Sequence, residues 1–156
     1  MKIIFWLILC LCFAGATRGQ ILLGTDIAVN ISVEAENPRV RETLSKSLSA
    51  NLRALNRDIV VLEGSATYLV NVRVMEIKSG SDAAPGYVFS TIVTVKEYAT
   101  RRNKPAELVD RLLDSSMILS DPDQLEETIK NIAAFAASKI SAAENRRYMR
   151  FSLSQV

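Results

Sequence analysis

Ile27, Val29, Ile31, Val33 and Ala35 alternate with Ala28, Asn30, Ser32 and Glu34, a period of two that predicts a strand with one buried face. The next two residues, Asn37 and Pro38, read as a helix start, a cap residue followed by the one residue pre-set for the first helical position. The period then changes. Val40, Leu44, Leu48, Leu52 and Leu55 fall on one side of a helix, and Arg39, Arg41, Glu42, Lys46, Asn51 and Arg53 fill the other. This pattern stops near Asn56.

A β-branched run from Ile59 to Glu63 is a short strand stopped by Gly64. Tyr68, Val70, Val72 and Val74 alternate with Asn71 and Arg73, a longer strand to about Ile77. After the polar turn Ser79 to Gly86, Tyr87 to Tyr98 places Phe89, Val93 and Val95 on one face and Thr94 and Lys96 on the other. These two strands predict an antiparallel hairpin. Leu108 to Leu119 has mixed periodicity that suits a strand better than a helix. Asp121-Pro122-Asp123-Gln124 reads as a capped helix start, and Leu125, Ile129, Ile132, Ala136, Ile140 and Ala143 form its stripe to about Arg147. Alanines 133, 134, 136 and 137 suit close packing on a sheet.

The predicted order is β-α-β-β-β-α, with one strand more if Leu108 to Leu119 is counted separately. This is an α+β fold, a two-layer sandwich with two helices on one face of a mostly antiparallel sheet. The other face is expected to be polar and open to solvent or a partner.

The first residues change the picture. Lys2 precedes Ile3 to Ala16, an uncharged apolar run too short for a membrane span of about 20 residues. With small residues after it, the run predicts a signal peptide over residues 1–19, cleaved before Thr17 or before Gln20; an uncleaved anchor is the rival reading. The expected product is one domain, 20–156, with its core at about 27–147 and a C-terminal tail at 148–156. No transmembrane span would then remain. Cleavage also removes Lys2 and Arg18, so 19 basic residues become 17 and match the 17 acidic ones. Cys10 and Cys12 leave with the leader, and leucines precede both, unlike a lipoprotein signal. A neutral domain without disulfides is expected to be exported, to the bacterial periplasm or the medium, and its charge gives no reason to expect nucleic acid as partner.

The helix Val40 to Leu55, the short strand Ile59 to Glu63, and Ser65-Ala66-Thr67-Tyr68-Leu69-Val70 leading into a hairpin resemble a group of small bacterial envelope domains. The group comprises the N-terminal domain of the translocation protein TolB, the periplasmic part of the curli secretion channel CsgG and the penicillin-binding-protein activator LpoB. The resemblance covers roughly Ile27 to Ile140 and lies in the order of elements, with no invariant motif. It implies a non-catalytic domain that docks onto other envelope proteins.

The chain has no histidine, which removes Ser/His/Asp and Cys/His catalysis and the common zinc ligand sets. No glycine-rich phosphate loop or dinucleotide fingerprint is present, and no cofactor is expected. Asp110 and Asp114 read as exposed charges, Asp121 and Asp123 as a helix start, and Glu34 and Glu36 as a pair on which nothing converges. The candidate recognition residues are basic. Arg101, Arg102 and Lys104 share a loop, and Arg146, Arg147 and Arg150 surround Tyr148 and Phe151. They suit an acidic patch on a protein, an anionic polymer or a lipid headgroup, or else complete a helix dipole.

The expectation is therefore a non-enzymatic exported adaptor or accessory domain that binds another envelope protein through the open sheet face or the hairpin. The alternatives are a small-ligand carrier or carboxylate-dependent hydrolase, and a secreted effector or inhibitor.

Overall fold

The structure, a computed structural model, describes residues 26–77, 86–99 and 105–153, with side chains to Met149. The expected signal peptide and most of the turn after Ile77 lie outside the described residues.

The fold is the α+β sandwich that the alternating and helical periods predict, with the fuller count of strands. Strands β1 (Ile27–Ala35), β2 (Ile59–Val61), β3 (Tyr68–Ile77), β4 (Gly86–Ala99) and β5 (Glu107–Ser120) form one sheet in the order β2-β1-β3-β4-β5. Helices α1 (Pro38–Leu55) and α2 (Leu125–Leu153) cover one face of it, α2 entered through a single 3-10 turn, Pro122–Gln124. The pairs β3–β4 and β4–β5 are antiparallel and carry most of the paired residues. β1 pairs in parallel with both β2 and β3.

Local chemistry explains the turning points. Asn37 Oδ1 accepts from the Arg39 amide at 3.0 Å and Pro38 opens α1, so the cap is the one the sequence predicts. Parallel pairing requires a crossover, and α1 supplies it between β1 and β2. From β2 the chain must cross β1 to reach β3. Leu62 to Thr67 makes that crossing, fixed by Asn30 Nδ2 donating to the Leu62 carbonyl at 3.0 Å. Gly64 sits in it at φ 101°, a left-handed conformation that glycine adopts without a Cβ penalty.

The core lies between sheet and helices. Val29 pairs with Tyr68 and Val33 with Val72, while Val70 and Val74 pair with Val93 and Phe89; the six residues on β3 and β4, with Val29, are buried. Leu44, Leu48 and Leu52 from α1 and Ile129, Ile132, Ala133, Ala136 and Ile140 from α2 close over them. Each large apolar side chain removed from water contributes roughly 1.5–3 kcal/mol. The alanines of α2 let the helix lie close to the sheet, although Ala134 faces solvent.

Three expectations need correction. Leu55, placed on the α1 stripe, is exposed: it is the last residue of the helix, and the stripe is buried only as far as Leu52. α2 does not end near Arg147 to leave a tail at 148; it continues to Leu153, since no glycine or proline after Ala143 stops it. The sheet face away from the helices is polar on only one half.

Candidate functional site

The open face divides between β3 and β4. On β1 and β3 it presents Asn30, Ser32 and Glu34 beside Leu69, Asn71 and Arg73, with Glu34 and Arg73 paired at 3.2 Å. Met75 and Ile77 follow at the end of β3 that meets the β3–β4 turn. On β4 and β5 the face turns apolar. The rows run Val88 with Leu119, Ser90 with Met117, Ile92 with Ser115, Thr94 with Leu112, Lys96 with Asp110 and Tyr98 with Leu108. Tyr98 is 76% exposed, and Met117 and Leu119 are each 72% exposed. Taking roughly 200 Å² for a large side chain, this half of the face shows on the order of 700 Å² of apolar side chain to solvent. The Lys96–Asp110 row crosses it, leaving Tyr98 and Leu108 on one side and Ile92, Leu112, Met117 and Leu119 on the other, where the area alone is on the order of the 300–600 Å² typical of a monomer's largest patch.

β5 forms this surface through a bulge. Val93 pairs with Asp114 and Thr94 with Leu112, so Leu113 is extra and the alternation slips by one residue. Leu113 packs against the core, while Leu112 and Leu108 point outward. The slip also separates two acids that an unbroken strand would place together. Asp110 lies on the open face, and Asp114 lies under α2, where Lys139 Nζ approaches it at 2.6 Å. That contact, with the Ser115 amide, holds the Asp114 carboxyl below its usual range.

The basic residues singled out from the sequence fall differently. Arg101, Arg102 and Lys104 lie outside the described residues. Arg146, Arg147 and Tyr148 are exposed on the last turns of α2, and Arg150 and Phe151 continue the same helix. Two of these arginines join a group that the sequence did not announce. Tyr68, Glu97, Arg111, Arg146 and Arg147 surround a cavity of about 110 Å³ at the end of the sheet where β3 begins. Tyr68 is buried and its hydroxyl donates to Glu144 Oε1 at 2.6 Å; Arg147 reaches the same oxygen at 3.4 Å. Burial first, and then the Glu144 contact, raises the Tyr68 pKa far above its ordinary value, so the phenol stays neutral. Arg111 grips Glu97 through Nε and Nη2, both at 2.8 Å. Carboxylates thus answer Arg111 and Arg147, and the cluster clamps α2 to the sheet end.

The remaining acids are surface groups. Asp121 caps the 3-10 turn through its backbone, its carbonyl accepting from the Gln124 amide at 3.1 Å, without the side-chain bond that the sequence suggested. Glu36 and Asp123 are exposed. Among the described residues, no group of three or more acidic, histidine or cysteine side chains is placed to hold a metal, and no helix is long and apolar enough to cross a membrane.

No protein-family model matches the chain, and no curated protein matches it in sequence. Solved structures similar to it include a hypothetical protein of Chlamydia trachomatis, 13% identical, covering 75% of this chain and 99% of that one at a TM-score of 0.48. PelC from Paraburkholderia phytofirmans, solved as a dodecamer, is 17% identical over 74% of this chain and 86% of its own, at 0.44. A minor lipoprotein from Acinetobacter baumannii is 14% identical over 75% and 92%, at 0.31. At these identities the likeness concerns the fold alone.

Proposed function

We propose that the protein is a non-enzymatic accessory protein of the cell envelope that works by docking onto a protein partner through the β4–β5 half of its open sheet face. The observation that carries this reading is the exposed apolar surface of Ile92, Tyr98, Leu108, Leu112, Met117 and Leu119. A sheet face left apolar in water is a cost unless something covers it, and protein interfaces are the common reason for such patches. The absence of histidine from the chain and the pairing of Glu34, Glu97, Asp114 and Glu144 with basic partners support a binding role over catalysis. The apolar leader before residue 20 supports export.

A photo-crosslinking residue at position 117, incorporated in the native cell, is expected to capture one dominant protein. The same group at Asn131, exposed on α2, is expected to capture none. Equal labelling from both positions, or no adduct from position 117, would remove this reading.

A further inference from the structure

Two features of the β4–β5 surface bear on what covers it. It is close to the size that each partner contributes to a stable interface, about 800 Å². Its side chains are also arranged so that the surface fits itself. Sheets that pack face to face keep their strands within about 30° of each other. A two-fold axis parallel to the strands, above the seam between β4 and β5, would set each β4 side chain over the β5 side chain of the same row in a second copy.

The registered rows then become contacts. Met117 of one copy falls on Ser90 of the other, Leu112 on Thr94, and Ile92 on Ser115, a large side chain over a small one each time. Val88 meets Leu119, and Tyr98 meets Leu108, apolar on apolar. One row is charged on both strands, and it pairs Lys96 with Asp110. Across the axis it would give two opposite-charge contacts, each lysine over the other copy's aspartate. A surface meeting itself across a two-fold must complement its own sequence row by row, and these rows, already neighbours within one sheet, meet that condition. Strands β1 and β3 would project beyond the overlap on either side, where Asn30, Ser32, Asn71 and the Glu34–Arg73 pair remain in water, with Met75 and Ile77 at the far end of β3.

We infer that the occupant of the open face is a second copy of this chain, the two sheets packed face to face over their β4–β5 halves. The inference rests on the reading of this face as a docking surface and names what docks there.

The charged row supplies the test, because each change lies on an accessible side chain outside the core. Sedimentation equilibrium of the purified chain is expected to show a dimer at micromolar concentration. Lys96→Asp places two acids on each contact and Asp110→Lys places two lysines. Each variant alone should dissociate at least about tenfold more readily, the scale of a close charge pair turned repulsive. Mixed in equal amounts, the two variants should associate with each other, since every cross-copy contact is again lysine on aspartate. Mixing cannot repair damage within one chain, so restored association separates the interface from a folding defect, and circular dichroism of each variant should be unchanged.

A wild type still monomeric at about 100 µM, above the weak end for interfaces of this size, would overturn the inference. So would variants that dimerise as the wild type does, or a mixture that stays monomeric. If the chain is monomeric while position 117 still cross-links to a different protein in the cell, the second copy falls and the docking reading stands. If neither contact forms, both fall.

Discussion

The two faces of β4 obey different rules although they share one backbone. Phe89, Thr91, Val93 and Val95 face the helices and are 0–3% exposed; Val88, Ser90, Ile92, Thr94, Lys96 and Tyr98 face away. Both sets include large apolar residues, so composition does not distinguish them. What differs is that one face is already covered by α1 and α2 within the chain. An apolar residue therefore holds the fold together on the first face and remains available for association on the second.

The largest expected effect breaks that comparison directly. Phe89→Ala should cost about 3–5 kcal/mol of stability, because it empties a filled site between sheet and helices. Met117→Lys on the opposite face should change the stability of the monomer by less than about 0.5 kcal/mol. Urea unfolding of both variants checks the pair, and a large loss from Met117→Lys would mean that this face is part of the fold.

Tyr68→Phe comes next and sharpens the role of the sheet end. Loss of the bond to Glu144 should cost about 1 kcal/mol, less than a cavity because Arg147 still meets the carboxylate. The Tyr68 pKa is raised above its ordinary 10.0, so its contribution is fully present below pH 10 and is lost as pH rises toward the folded value. Wild-type stability should therefore fall above pH 10, and the Tyr68→Phe variant should fall less steeply in the same melts.

A third change should move stability the other way. Thr91 is 1% exposed on the helix-facing side, and its hydroxyl has no hydrogen-bond partner. Thr91→Val keeps the shape and removes the orphaned group, so a gain of about 1 kcal/mol in urea unfolding is expected. The smallest effect is at Asp114. Its pKa is lowered by Lys139 and the Ser115 amide, so the contact is present above the carboxyl's unfolded value and is lost as pH falls through the folded one. Asp114→Asn should flatten the acid limb of the stability profile below about pH 4, losing at neutral pH the same small increment and leaving stability in acid unchanged.

Much of the fold could be read from the sequence wherever one period held over a whole element. The α1 stripe of leucines as far as Leu52, the alternation on β1 and the Tyr68-to-Tyr98 hairpin each follow one rule, and each formed as predicted. Pair order was less legible: nothing local announces that β1 sits between β2 and β3, because that depends on a crossover. The apolar half of the open face was missed for a definite reason. Thr94 and Lys96 make β4's outer face look polar, and the mixed periodicity of Leu108 to Leu119 shows a strand without showing its faces. Apolar residues stand on both faces of β5, and the extra residue at Leu113 shifts the outward positions by one, so no single period spans the strand. Of the basic residues picked from the sequence, Arg146 and Arg147 lie at the sheet-end cluster. Their neighbours Tyr68, Glu97 and Arg111 come from strands distant in the chain, and only folding brings them together.

The bulge at Leu113 also determines where the gene could change in length. Deleting one codon within β5 away from the bulge at 112–114 would turn every residue on one side of the cut to the opposite face, sending core residues into water and the exposed leucines inward. Deleting the codon for Leu113 would bring Leu112 and Asp114 into one unbroken ladder opposite Thr94 and Val93, with each remaining side chain on its present face. The loss would be one partly buried leucine and some local twist. Because Leu112 and Leu113 are adjacent and identical, losing either codon gives this same chain, and homologues one residue shorter here should retain the rows on both sides.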